Sequence, residues 1–199
     1  MVADLVLRTL RHVVRTLNNE QLTWAVVGGV ALSVWDHVRN TQDTDFLVGV
    51  GDNPDDMLNA IQAAGLRPKH DPPILSVGNH RFAQFLYEPP ESYMDIQVDF
   101  LLADTDFQRD ALARRVATHF PDVESDVFVL ACEDLIASKL LAGRIIDLAD
   151  AAALLRANLD CLDFSLLRRE CVRIGVADEL TRVWDEAFPN TAMPGADGC

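Results

Sequence analysis

One short run constrains this chain more than any other feature. An apolar segment, Thr23-Trp24-Ala25-Val26-Val27, stops at Gly28-Gly29, and two acids, Asp43 and Asp45, arrive one short helix later. The apolar segment reads as a buried strand. Val30 to His37 reads as a helix starting directly after the glycines, and Thr44 to Val50 as a second strand. A strand that runs into two glycines and then a helix leaves backbone N–H groups bare at the helix start, a ready seat for phosphate oxygens. The short helix returns the chain, so the acids enter the second strand at the same end as that seat.

Asp43 and Asp45 sit at i and i+2, which places both carboxylates on one face, about 6–7 Å apart at their Cα atoms. Carboxylates that close repel each other unless protons or cations intervene, and a hard divalent ion with oxygen ligands is the natural remedy. Tyr93 to Leu102 reads as a later strand with Ile96, Val98 and Phe100 on one face and Asp95, Gln97 and Asp99 on the other. If that strand neighbours the one carrying Asp43 and Asp45, Asp99 becomes a third acid. Three acids on adjoining strands suit a two-metal phosphoryl or nucleotidyl transfer. Asp95 lies on the same strand face, which leaves two candidates for the third position; the apolar run after Asp99 favours Asp99.

The rest of the chain falls into two regions. Leu7, Leu10, Val14 and Leu17 predict an amphipathic helix over Ala3–Asn18, with Arg8, Arg11 and Arg15 on another stripe, which reads as a solvated face in preference to a surface that receives RNA. A helix is expected over Asp55–Ala64 after the Asp52-Asn53-Pro54 turn. Weak extended character follows at Ile74–Val77, then a strand at Arg81–Tyr87, a helical piece near Asp106–Arg114 and a weak extended stretch near Val127–Leu130. From Glu133 to Phe188 the pattern is almost wholly helical, with breaks near Gly143, Asn158–Asp163 and Gly175. The expected division is an α/β core over residues 1–130, a helical region over 131–188 and a frayed tail over 189–199.

Composition narrows the function. With a formal net charge of −14 over 199 residues, the chain lacks the Lys and Arg excess of a protein that holds nucleic acid by neutralising phosphates. The four cysteines (Cys132, Cys161, Cys171 and Cys199) and five histidines match no zinc template. No Gly-x-Ser-x-Gly elbow or GxxxxGK[ST] loop is present. The apolar stretches are too short or too interrupted for a signal peptide or a membrane span, and a cytoplasmic location is expected.

Gly28-Gly29-Val30-Ala31-Leu32 followed by Arg39-Asn40-Thr41-Gln42-Asp43-Thr44-Asp45-Phe46-Leu47 resembles the signature of the polymerase-beta-like nucleotidyltransferase superfamily. The Arg-x-Thr-x-Asp-x-Asp form is closest to the small prokaryotic branch of abortive-infection (AbiEii-like) toxin nucleotidyltransferases. Val98-Asp99-Phe100-Leu101-Leu102 resembles the strand that carries the superfamily's third acid. Lys139-Leu140-Leu141-Ala142-Gly143-Arg144 and Asp147-Leu148-Ala149-Asp150 resemble that branch's helical motifs. The resemblance implies an α+β fold, in which a mixed β-sheet flanked by helices is followed by a C-terminal helical region.

It also implies roles. Asp43, Asp45 and Asp99 would be metal-holding, catalytic acids for Mg²⁺ or Mn²⁺. Gly28, Gly29, Arg39, Thr41 and Lys139 would contact nucleotide and phosphate. From the residues alone, an ion pair of Arg39 with Asp36 or Asp43 is as well supported as a triphosphate contact. Lys139 is equally readable as a lysine whose stem covers apolar helix surface, and Arg144 with Asp147 as a structural i, i+3 ion pair. The implied partners are an NTP such as ATP, an RNA, protein or small-molecule acceptor, and an antitoxin. The rival reading is a module of the same fold that binds a nucleotide or a partner without catalysis.

Overall fold

The computed structural model describes residues 2–51, 53–78, 80–120, 123 and 125–194. Asp52, part of the expected turn before residue 55, and residues 195–199 of the expected tail lie outside the described residues. The chain divides into two compact units. One comprises residues 1–31 and 39–130, the other residues 32–38 and 131–199. The fold is α+β, with eight helices and one mixed sheet among the described residues.

The first unit is built on eight strands: β1 (Thr23–Val27), β2 (Asp43–Gly49), β3 (Arg67–Pro68), β4 (Ile74–Val77), β5 (His80–Tyr87), β6 (Ile96–Leu102), β7 (Val116–Thr118) and β8 (Val127–Val129). Their order is β3-β5-β6-β2-β1-β8-β7, with β4 also paired to β5, further along the same edge as β3. β1 and β2 are antiparallel, whereas β2 and β6 run parallel. Alternation fixes the faces. In β6, Ile96, Val98, Phe100 and Leu102 are buried while Gln97, Asp99 and Leu101 are half-buried. Phe46 stacks on Phe100 at 5.7 Å, Phe85 meets Phe100 edge-on at 5.8 Å, and Trp24 meets Phe46 edge-on at 6.1 Å. This aromatic row lies on the face opposite Asp45 and Asp99, so the apolar core and the acids occupy two sides of the same strands.

Helix α1 (Val2–Asn19) packs on β2, β6 and the helix α3 (Asp55–Ala63) through Leu10, Val13, Val14 and Leu17. Of its arginines, Arg8 is bonded to the Pro90 carbonyl and lies 3.9 Å from Asp4. Helix α4 (Asp106–Ala113) starts on a reciprocal Thr105–Gln108 capping box and packs against β1 and β2. The helix α2 (Gly28–Val34) begins on the glycines themselves, two residues before the expected start, and ends three residues short of the expected His37. β6 begins at Ile96, so Tyr93 to Asp95, expected within the strand, lie outside it.

In the second unit, α5 (Cys132–Ala142), α6 (Ile145–Ala157), α7 (Phe164–Arg173) and α8 (Ala177–Ala187) pack against one another. Each break expected from the sequence separates two of these helices. Gly143 closes α5 in the left-handed conformation, φ 66°, with its N–H on the Lys139 carbonyl. Asp163 caps α7 by accepting from the N–H groups of Ser165 and Leu166. Residues 191–194, expected as part of a frayed tail, are tied down. Trp184 Nε1 donates to the Thr191 carbonyl at 2.7 Å, and Arg168 donates to the carbonyls of Met193 and Pro194. No helix among the described residues is long and apolar enough to cross a membrane.

Candidate active site

Strand register decides which acids meet. Asp45 of β2 is paired with Asp99 of β6, and Asp99 in turn with Gln84 of β5. Paired positions on neighbouring strands share a face about 4.8 Å apart, so Gln84, Asp99 and Asp45 form one row across three strands. Asp43 and Gln97 are paired one pleat along on the same face. Asp95 is elsewhere: it precedes β6 and pairs with Arg67 at 2.5 Å, both side chains open to solvent.

The two glycines are explained by close approach. Gly28 has φ +60°, and a Cβ there would sit 1.8 Å from Asp45 Oδ2. A Cβ on Gly29 would sit 2.7 Å from the Thr41 Cβ. The β1–α2 turn is therefore pared to backbone where Asp45 and Thr41 lie against it. Thr41 donates its hydroxyl to Asp43 Oδ1 at 2.5 Å and to the Asp43 carbonyl at 3.2 Å. This threonine thus orients an acid as well as lining the turn. Arg39 is half-buried in the segment leading into β2.

Asp99 is held by neutral donors. Gln97 Nε2 donates to its two carboxylate oxygens at 2.9 and 3.0 Å, and Gln84 Nε2 at 3.2 and 3.4 Å. Burial pushes the Asp99 pKa above the ordinary carboxylate value, and the charge of Asp43 adds to that; the two amides and the more distant Lys69 oppose it. The glutamines were not anticipated as site residues. Gln97 was visible on the Asp99 face by alternation, but Gln84 enters only through the register of β5.

Lys139 is buried and pairs with Asp147 and Asp150, both at 2.9 Å. Arg144 adds a second cation to Asp147 at 2.5 Å, and His37 Nε2 lies 3.1 Å from Asp150 Oδ1. Burial raises the Asp147 pKa, but its hydrogen bonds and ion pairs with Arg144 and Lys139 outweigh that and hold it below the ordinary value. The lysine expected at a phosphate thus has its charge matched inside the helical unit.

Among the described residues, no three Asp, Glu, His or Cys side chains are gathered closely enough to hold a metal ion together. The donor set nevertheless suits a hard cation. Asp43, Asp45 and Asp99 offer only oxygens, all three are half-buried, and the hydrogen bonds on Asp43 and Asp99 come from uncharged donors.

Comparison with solved structures shows the fold. An antigenic nucleotidyltransferase-like protein from Paracoccidioides brasiliensis superposes with a TM-score of 0.53 at 16% identity, over 93% of this chain and 97% of that one. A candidate nucleotidyltransferase from H. pylori gives 0.52 at 15% identity, over 92% and 81%. The fold is that of the nucleotidyltransferases. The family described as "Nucleotidyl transferase AbiEii toxin, Type IV TA system" matches residues 8–191, and the chain belongs to it: it is a nucleotidyltransferase. No curated protein matches it in sequence.

Proposed function

We propose that the protein transfers a nucleoside monophosphate from an NTP to a hydroxyl or phosphate acceptor, releasing pyrophosphate, in a reaction that requires Mg²⁺ or Mn²⁺. The observation that carries this reading is the Asp45–Asp99 pairing across β2 and β6, with Asp43 on the same face. In it, Asp43 and Asp45 hold the cation and Asp99 serves as third ligand or general base. A divalent ion there would offset the triphosphate charge and make the attacking hydroxyl more acidic. The chain's own contribution is positional. Thr41 aims Asp43, and Gly28 lets the Asp45 carboxylate lie against the backbone that would meet the phosphates. Arg39, beside them in sequence, is assigned to triphosphate charge.

ATP is the donor to try first, and the cytoplasm the expected location. Family membership supports a toxin countered by an antitoxin. The acceptor is an RNA, a protein or a small molecule; the charge of −14 weighs against a large RNA. A second reading, a module that binds nucleotide without turnover, is favoured by Asp99 being occupied with two amides.

Incubation with each labelled NTP and Mg²⁺, with total RNA, protein or aminoglycoside as acceptor, separates these readings by mass spectrometry. Pyrophosphate together with an NMP adduct supports transfer. Metal-dependent binding with no product supports the second reading. Free phosphate with no adduct would mean hydrolysis and sink the proposal.

A further inference from the structure

Two glutamine amides meet one carboxylate beside the candidate acids, and each amide has its own polar partner behind it. Lys69 Nζ donates to Gln97 Oε1 at 2.6 Å, and His70 Nε2 lies 3.0 Å from Gln84 Oε1. The Lys69 contact settles which way the Gln97 amide points, and the Asp99 carboxylate which way Gln84 does. A lysine ammonium has only donors, so it must face the Gln97 oxygen, which turns the Gln97 NH₂ towards Asp99. With Gln84 Nε2 on Asp99, its oxygen accepts from His70, which puts the proton of the neutral imidazole on Nε2. The result is two converging chains of donors, Lys69 to Gln97 to Asp99 and His70 to Gln84 to Asp99. They end on both oxygens of a single carboxylate in register with Asp45.

We propose that Gln97 and Gln84 are positioning residues that fix the Asp99 carboxylate opposite Asp45 for a divalent cation, with Lys69 locking the direction of the Gln97 amide and His70 backing that of Gln84. This rests on Asp99 being the third acid of the proposed transferase site. Amide donors suit the task because they hold an oxygen in place without neutralising it. A lysine or arginine in their place would cancel the charge that a cation requires. The distances rank the pair, with Gln97, at 2.9 and 3.0 Å, as the tighter clamp and Gln84, at 3.2 and 3.4 Å, as the looser. Lys69 acts one bond further away.

The test is a Mn²⁺ titration of the whole protein, read by electron paramagnetic resonance, with melting curves alongside. Gln97→Met and Gln84→Met keep the length and volume of the side chain and remove its donors. Loss of such a supporting hydrogen bond typically weakens metal binding about 10-fold; that is the expectation for Gln97→Met, with a smaller loss for Gln84→Met and the smallest for Lys69→Met. Asp99→Asn is expected to weaken binding as well, and adding Gln97→Met to Asp99→Asn to change nothing further.

If Asp99→Asn weakens Mn²⁺ binding and the glutamine variants do not, the clamp is wrong and the transferase site stands. If Gln97→Met costs as much in the Asp99→Asn background as in the wild type, its role is structural and the proposal falls. If Asp99→Asn leaves binding unchanged, or the wild type binds no Mn²⁺, the assignment of Asp99 fails and the clamp fails with it.

Discussion

The molecule holds two groups of acids that are treated in opposite ways. In the helical unit, Asp147 and Asp150 are buried and answered by full charges: Lys139 reaches both, and Arg144 adds a second cation to Asp147. On the sheet, Asp43 is bonded by a threonine hydroxyl and Asp99 by two amides. The first group is matched internally, and the second is oriented while its negative charge is retained. Retained charge on a half-buried face is costly for stability and useful for holding a cation. One group therefore reads as support for the fold and the other as a site.

The comparison can be broken most forcibly at Lys139. Lys139→Met leaves two buried carboxylates facing each other, and loss of one partner of a buried ion pair costs about 3–5 kcal/mol. Chemical denaturation should show a loss of that size, and adding Asp147→Asn should recover part of it. A Lys139→Met variant as stable as the wild type would mean that the network is not the internal support described.

Two isosteric changes sharpen the contrast by sign. The Asp147 carboxylate is held below the ordinary range, so its stabilisation is present at neutral pH and is lost as pH falls through that depressed value. Asp147→Asn should therefore lower Tm at pH 7, with the gap closing in acid. The Asp99 carboxyl is raised, so its ionised form burdens the fold at neutral pH, and the burden lifts as pH falls through the raised value. Asp99→Asn should raise Tm at pH 7 while transfer is lost. Melting curves at several pH values test both, and shifts of the same sign would erase the distinction.

Gly28→Ala should separate function from stability. An alanine at φ +60° costs about 1–2 kcal/mol, and its Cβ would displace the Asp45 carboxylate. A misplacement of about 1 Å in a reacting site can cost about 10²-fold in rate, so activity should fall far more than Tm. The smallest effect is expected at Asp95, whose exposed pair with Arg67 is worth about 0–1 kcal/mol. Asp95→Asn should leave transfer and Tm essentially unchanged, in contrast to Asp99→Asn four residues on.

Much of the sheet side was legible in the sequence because its signals are local. Glycines at a strand end, acids at i and i+2 and strict alternation in Ile96–Leu102 each carry their meaning within a few residues. What separates Asp95 from Asp99 was not local: it depended on where β6 begins and on its register with β2. Gln84 was invisible for the same reason, since a glutamine in a strand says nothing until its neighbour is known. The two-residue β3 and three-residue β7 are too short to show a period. Lys139 was open to two readings because its partners lie eight and eleven residues ahead, beyond the Gly143 break. Helical spacing alone could not tell whether they would face it.

The central claim is that Asp43 and Asp45 hold the cation for nucleotidyl transfer. Its most direct test is adduct formation from labelled NTP by the wild type and by an Asp43→Ala, Asp45→Ala double variant, in Mg²⁺ and in EDTA, with folding checked by circular dichroism. The expected result is transfer by the wild type in Mg²⁺ alone, and none by a folded double variant. Transfer by the double variant at the wild-type rate, or by the wild type in EDTA, would contradict it.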